Sequence, residues 1–427
     1  MNIFIDITLI IMYLIALYFS IFLLLVYIDK KDKFEQERSD NGGYYQIEEV
    51  LVSVLVPAYN EENTIIKTLE SIDQLDYPKD KLEVIIINDG SKDNTEKVVK
   101  EYIKNKPNFN LISHANIGKA ASMNKALNLA KGEFFACLDA DSSVDRMTLR
   151  KMLAQFQKEN DPNLAIITPA MKVIQPKNLL QRVQWLEYIV LILIARISSH
   201  LDSLYVAPGP FSLYQTSIIK KLGGFEEGNI AEDQEIAYRA QKNNYRILHC
   251  FDGYVYTNAP MKLKPFYRQR RRWYLGSIIC LHKYKDLVAN KKYGDFGLMQ
   301  MIKNVVGYVT ATFGIIILLY FFIVPFFGEI KSLLVLKFNI LPFLQHFKLN
   351  ITFLNFLLND FRKGILVLFL FLIGFYFFYQ AHRNANEKMI KFGWIPLIPY
   401  FAFYYILKGV ILLLSLLEFS MGKKLKW

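Results

Sequence analysis

Two pairs of neighbouring carboxylates and one arginine-rich hexapeptide carry most of the chemistry that this sequence can do. Asp139 and Asp141 stand one residue apart in Leu138-Asp139-Ala140-Asp141, where the apolar run Phe134–Leu138 breaks into a loop. Hard carboxylate oxygens at that spacing suit Mg²⁺ or Mn²⁺, and such an ion would neutralise a departing diphosphate. A solvated acidic turn is the plainer alternative. Glu232-Asp233 follows Gly223-Gly224-Phe225 and Asn229-Ile230-Ala231 and opens the amphipathic stretch Gln234–Gln241. A carboxylate at a helix start caps the helix; the same group can also remove a proton from a hydroxyl as that oxygen attacks a sugar carbon. The hexapeptide Arg268-Gln269-Arg270-Arg271-Arg272-Trp273 gathers four arginines around a glutamine and closes on an indole. Such a cluster can bind headgroups, nucleic acid or a diphosphate. Nucleic acid is the poorest fit, because the cluster adjoins apolar sequence rather than a broad basic face.

These groups need a scaffold that brings them together. From about Gly42 to Phe296, short β-branched runs alternate with amphipathic stretches, the pattern of a parallel sheet flanked by helices. The expected strands are Leu51–Val56, Leu82–Asn88, Asn110–Ser113, Phe134–Leu138 and Leu164–Thr168, and the expected helices lie near Glu62–Asp73, Asp93–Lys104, Lys119–Ala130 and Val144–Gln157. Ligands of a doubly wound sheet sit at the carboxyl ends of its strands. There the first strand closes on Pro57-Ala58-Tyr59-Asn60-Glu61 and the second on Asn88-Asp89-Gly90-Ser91. Tyr59 could stack on a base and Asp89 could accept from a base or ribose, although Asn-Asp-Gly-Ser is also an ordinary turn. Asn116-Ile117-Gly118-Lys119 precedes a helix, where backbone N–H groups and a lysine favour phosphate.

Composition puts this scaffold beside a membrane. Of 427 residues, 53% are apolar and 21% charged, which few water-soluble domains show. A formal charge of +12 suits an anionic partner. Ile3–Ile28 is an apolar run broken only by Asp6, long enough to cross a hydrocarbon core of about 30 Å. The basic stretch after it puts the start of the chain outside and the following domain in the cytosol. Further apolar spans lie near Ile302–Phe327, Leu333–Leu358, Gly364–Tyr379 and Ile395–Phe419. If all five cross, the basic tail Lys423–Lys426 returns to the cytosol. Two shorter apolar stretches, Val183–Ile197 and Phe266–Leu281, either lie flat on the membrane or are core helices. Cys137, Cys250 and Cys280 show no metal-ligand spacing and read as buried, reduced thiols.

Taken in order, Pro57–Glu61, Asn88–Ser91, Asn116–Lys119, Asp139–Asp141, Glu232-Asp233 and Gln269–Trp273 resemble the motifs of membrane-embedded family-2 glycosyltransferases. The synthases of poly-N-acetylglucosamine, hyaluronan and cellulose are similar in layout. The likeness covers roughly residues 50 to 285 and the flanking spans. It implies an α/β GT-A fold, Rossmann-like with a mostly parallel sheet, inserted between an N-terminal transmembrane helix (1–30) and a C-terminal group of spans (302–420). It also implies a UDP-sugar donor, with Tyr59, Glu61 and Asp89 at the uridine and Asp139 and Asp141 at the diphosphate and its Mg²⁺ or Mn²⁺. Asp233 matches the general base, and Gln269, Arg272 and Trp273 match the Gln-x-x-Arg-Trp motif. Lys119 and Glu232 join the nucleotide-sugar set. Two departures, Ala231 where polymerising relatives carry Thr, and the segment Ala207-Pro208-Gly209-Pro210-Phe211-Ser212, leave the acceptor open.

The resulting expectation is a multi-pass cell-membrane enzyme with a cytosolic catalytic domain. It would invert the sugar while extending a polysaccharide, export the product through its own helices and work with export or accessory subunits. Transfer of one sugar to a lipid-linked acceptor is the alternative within the same chemistry. A non-catalytic membrane subunit or transporter that senses a nucleotide is the alternative outside it, and the presence of a base beside the acidic pair speaks against it.

Overall fold

The computed structural model describes residues 3–39, 47–335 and 361–422. Most of the expected span Leu333–Leu358, the boundary at Gly42 and the basic tail lie outside the described residues. The chain opens with α1 (Ile3–Asp29) and the short charged α2 (Lys31–Ser39). The α/β body follows as β1 (Val52–Ala58), α3 (Ile65–Asp73), β2 (Leu82–Asp89), α4 (Thr95–Ile103), β3 (Phe109–His114), α5 (Lys119–Leu129) and β4 (Phe134–Cys137). Next come β5 (Ser143–Val144), α6 (Thr148–Glu159), β6 (Leu164–Val173), α7 (Leu179–Ser199), β7 (Leu213–Gln215), α8 (Thr216–Lys221), α9 (Glu232–Lys242), β8 (Arg246–Thr257) and α10 (Leu263–Lys283). Three long apolar helices end the described chain: α11 (Ile302–Val335), α12 (Phe361–Asn384) and α13 (Tyr405–Ser420). A π-helical turn leads into α11 (Phe296–Met301), and another into α13 (Tyr400–Tyr404).

The sheet has eight strands in the order β3-β2-β1-β4-β7-β6-β8-β5. The half from β3 to β4 is parallel, with Val52 of β1 level with Leu82 of β2 and Phe134 of β4. β7 then runs antiparallel to both β4 and β6, while β6 and β8 pair in parallel. Central parallel strands are covered on both faces and therefore read as nearly unbroken apolar runs, which is why β1, β2 and β4 are legible in the sequence. Helices α3, α4 and α6 cover one face through Ile65, Leu69, Val99, Met152 and Phe156; α5, α8 and α9 cover the other through Met123, Leu127, Ile219 and Ile236.

Three strands escaped the sequence reading. β7 has only three residues, too few for any periodicity to register. β8 carries His249, Asp252 and Gly253, so it does not look apolar, yet His249 and Asp252 each find a partner inside, with His249 Nε2 left unpaired among the described residues. His249 Nδ1 meets Thr168 Oγ1 at 3.0 Å, and Asp252 pairs with Lys151 at 2.9 Å. β5 corrects a helix start: Ser143 and Val144 pair with Tyr256 and Val255 of β8, so the helix expected from Val144 begins at Thr148.

The stretch Val183–Ile197 falls within α7, packed on both sides. α7 lies between the sheet and the apolar helices, with Trp185, Tyr188, Ile189, Ile192 and Leu193 buried together with Phe378, Ala381, Tyr400 and Tyr404. α10 is likewise packed along α13, through Phe266 against Tyr404 and His282 against Phe419. Among the described residues, four helices are long and apolar enough to cross a membrane: Ile7–Asp29, Phe296–Tyr320, Gly364–Asn384 and Leu397–Ser420. α1 and α12 run side by side in the same direction, Tyr13 OH donating to the Leu366 carbonyl at 2.9 Å and Tyr27 OH to Gln380 Oε1 at 3.0 Å. All three cysteines are free and buried.

Candidate active site

The carboxyl ends of β1, β2 and β4 form one rim of a cleft, and their loops are tied to one another. The Asn60 N–H donates to Ser91 Oγ at 3.0 Å, the Lys92 N–H to Asn60 Oδ1 at 2.8 Å, and the Glu61 N–H to Thr95 Oγ1 at 2.8 Å. Asp89 is buried, and each of its carboxylate oxygens already accepts a backbone N–H, from Ile117 at 2.8 Å and Gly118 at 3.0 Å. It therefore sets the loop that opens α5, leaving only the remaining lone pairs for a base or ribose. Tyr59 stands beyond the strand end and is 44% exposed, as a stacking platform requires.

That loop aims Lys119 inward. Its ammonium lies 2.7 Å from Asp139 and 3.0 Å from Glu232, so one cation joins the end of β4 to the start of α9. Burial alone would lower its pKa, but the carboxylates of Asp139 and Glu232 outweigh that and hold it above the usual value. Gly209 of the Ala207–Ser212 segment lies over this pair: a Cβ there would come within 3.1 Å of Lys119 Nζ and 3.3 Å of Asp139 Oδ2. The Ala207 N–H donates to the Asp233 carbonyl at 3.2 Å, and the Phe211 N–H donates to the Cys137 carbonyl, so the segment closes the floor of the site.

The acidic pair is held against its own repulsion. Burial and the neighbouring Asp139 raise the pKa of Asp141, and burial together with Asp141 and Asp139 raises that of Glu61. An excess of negative charge at a partly buried point is what a hard divalent cation relieves, so Asp139 and Asp141 fit as its ligands. Among the described residues no group of three His, Cys, Asp or Glu side chains could hold a metal. An ion there would complete its shell with oxygens from diphosphate and water.

Opposite this rim, α10 supplies the second wall. An open cleft of about 490 Å³ is lined by Asp141, Asn258, Ala259, Pro260, Pro265, Arg268, Gln269 and Arg272. The Gln269 Oε1 is buried without a partner among the described residues, which leaves a carbonyl oxygen ready for a ligand hydroxyl. Trp273 makes a different contact. It is absent from the cleft lining and instead stacks under Arg270, whose guanidinium carbon is 4.2 Å from the ring centroid. Arg270 in turn is buried against Glu187 of α7 at 2.6 Å, and Glu187 also takes Lys408 at 2.5 Å and the Tyr404 hydroxyl at 2.7 Å. One turn of α10 is thus split between ligand-facing Gln269 and Arg272 and anchoring Arg270 and Trp273.

Asp233 begins α9 between these walls. Burial and the adjacent Glu232 push its pKa up to about 6, against the opposing pull of Lys119, Arg272 and the Gln234 N–H that it accepts at 2.8 Å. It is thus ionised at neutral pH yet more basic than an ordinary carboxylate, the poise of a general base. Ala231, the residue before the pair, packs against α10 at Gly276, where a Cβ would come 2.4 Å from the Ala231 methyl. Asp139, Asp141, Lys119, Glu232, Asp233, Gln269 and Arg272 therefore converge. Asn258, Arg268 and Gly209 join them unforeseen, although Arg268 and Gly209 stood inside motifs already singled out.

Comparison with known proteins agrees with this geometry. Residues 53–223 match the family model for glycosyl transferase family 2. A poly-beta-1,6-N-acetyl-D-glucosamine synthase from Staphylococcus epidermidis is 26% identical over 368 residues, 85% of this chain and 82% of its own. One from Staphylococcus aureus (strain MW2) is 29% identical over 250 residues, 58% and 60% of the two chains. A solved structure described as a mannosyltransferase from Pyrobaculum calidifontis in complex with GDP-Man and Mn²⁺ superposes with a TM-score of 0.57 at 17% identity, over 96% of this chain and 99% of that one. That last likeness is one of fold, the GT-A arrangement of a mixed, mostly parallel sheet. Fold, cleft and family match lead to one conclusion: this chain is a glycosyltransferase that carries a glycosyl transferase family 2 domain over residues 53–223.

Proposed function

We propose that the enzyme transfers a sugar with inversion from a UDP-linked donor to the growing end of a polysaccharide, at the cytosolic face of the cell membrane, and leads the product outward between its apolar helices. The observation that carries this reading is the single cleft in which Asp141, Gln269 and Arg272 face one another beside the Lys119–Asp139–Glu232 link and Asp233. Tyr59, Glu61 and Asp89 would receive the uridine. Asp233 would take the proton of the acceptor hydroxyl as its oxygen attacks the anomeric carbon and the bond to the diphosphate breaks on the opposite side. A single displacement needs one base. Lys119 and Arg272 would meet the charge growing on the leaving group. Asp139 and Asp141 would hold Mg²⁺ or Mn²⁺, which supplies Lewis-acid neutralisation of the diphosphate.

The polymeric product is supported by the two staphylococcal relatives, whose names specify poly-N-acetylglucosamine. Membrane attachment is supported by the four apolar helices. The parallel run of α1 and α12 supports both crossing in the same sense.

The test uses the full chain in lipid nanodiscs, a panel of UDP-sugars beginning with UDP-N-acetylglucosamine, and sizing of the product. A long polymer made by the wild type, and lost by more than about 100-fold in Asp233→Asn with UDP binding retained, is expected. Asp141→Ala should lose the response to added Mn²⁺. Product confined to a small, solvent-extractable lipid would overturn chain extension, and an active Asp233→Asn would overturn the base.

A further inference from the structure

The helix that carries Asp233 is fastened to a candidate membrane span by two polar rungs. In the first, Gln234 Nε2 of α9 donates to Ser277 Oγ of α10 at 2.9 Å, and the Tyr308 hydroxyl of α11 donates to the same oxygen at 2.5 Å. In the second, Gln300 Nε2 donates to Asn304 Oδ1 at 2.7 Å, and Asn304 Nδ2 donates to the Tyr238 hydroxyl of α9 at 3.0 Å. Residues 234 and 238 are one turn apart on α9, and 304 and 308 one turn apart on α11, so each pair shares a helix face. Gln234, Tyr238, Ser277 and Gln300 are all at most 8% exposed, while Asn304 and Tyr308 are half-buried. The rungs resist sliding because breaking one leaves the buried partner on α9 or α10 unpaired.

Neighbouring packing makes the connection stiff. Tyr238 sits in a cluster with Tyr284, Leu287, Phe296 and Met301, its ring edge-on to Phe296 at 5.6 Å. The turn Phe296–Met301 is π-helical, and π turns inside α-helices often mark functional sites. The contact between Ala231 and Gly276 lies beside the first rung, on the residue before Ser277.

We infer that Tyr308 and Asn304 of the first span after the catalytic domain are positioning residues, which act through Ser277 and Tyr238 to fix where α9 presents Asp233 to the acceptor. The inference rests on Asp233 being the base. Neither residue lines the cleft, so loosening them changes the approach of the base and leaves donor recognition by Gln269, Arg272 and the strand ends intact. The arrangement also means that a tilt of α11 in the bilayer is transmitted to the base.

The test compares Tyr308→Phe, Ser277→Ala, Gln234→Ala and Asp233→Asn in full-length enzyme in nanodiscs, with UDP-N-acetylglucosamine as donor, recording kcat, donor KM and melting temperature. Tyr308→Phe should lower kcat by about ten-fold while donor KM and melting temperature hold; Ser277→Ala, which strands the buried Gln234 amide, should lower kcat similarly with donor KM held and a reduced melting temperature. The double variant Gln234→Ala with Tyr308→Phe should be no slower than the slower single variant, because both act through one hydroxyl. Wild-type kcat in Tyr308→Phe and Ser277→Ala, additive losses in the double variant, or a joint fall of kcat, affinity and melting temperature would each overturn the positioning role. An active Asp233→Asn would instead remove the base, a separate failure that the same series exposes.

Discussion

Replacing Gly276 by alanine puts one methyl group where the start of α9 meets α10, and its consequence can be worked out in advance. The added Cβ would lie 2.4 Å from the Ala231 Cβ. Methyl carbons settle at about 3.8 Å, so the helices must part by about 1.4 Å. Overpacking of this kind costs about 1–3 kcal/mol, and alanine returns about 1 kcal/mol of helix propensity, so the fold should survive. Geometry is less forgiving. Asp233 is two residues from Ala231, while Gln269 and Arg272 ride on α10, so the base and the ligand-facing wall separate by about the same distance. A misplacement of about 1 Å can reduce turnover about 100-fold. The design has an internal control: with Ala231→Gly in the same chain, the nearest backbone carbon of residue 231 is 3.5 Å from the new methyl, an ordinary contact. The double variant moves the methyl from one helix to the other and should recover most of the lost kcat. The assay is kcat for polymer formation with a thermal melt of each variant. Wild-type turnover in Gly276→Ala, or a double variant no better than the single one, would refute the reasoning.

Two further outcomes follow from charge burial. Because the pKa of Asp233 is raised to about 6, kcat should fall as pH drops through about 6. The folded state then binds more protons than the unfolded chain between about pH 4 and 6, so this residue's contribution to stability is present below that window and lost as pH rises through it. Asp233→Asn should remove that part of the pH dependence in a melt recorded across the window. Glu187→Ala leaves the buried Arg270 and Lys408 without their shared carboxylate. A loss of about 3–5 kcal/mol is expected, against a smaller one for Glu187→Gln, read from chemical denaturation in detergent; equal stability of the two variants would show that the ion pairs contribute little.

The primary sequence was sufficient for the class of enzyme and for five of the eight strands. Carboxylates one residue apart after an apolar run, a Glu-Asp pair opening a helix and a Gln-x-x-Arg-Trp cluster are local patterns, and strands buried on both faces leave unbroken apolar runs that can be read without neighbours. What escaped was whatever depends on a partner distant along the chain. β8 runs through the interior with Thr168 and Lys151 partnering its histidine and aspartate, and β7 exists only between β4 and β6. Trp273 belongs to the expected motif, yet Arg270 and Glu187 turn it into an anchor. Lys119 looked like a phosphate ligand at a helix start, and only packing reveals that it joins Asp139 to Glu232, 93 residues apart in the chain. Residue types and short spacings define which reactions are available, because chemistry is local. Which groups meet, and at what distance, is decided by burial and hydrogen bonding between segments far apart in sequence, and no stretch of the chain contains that information by itself.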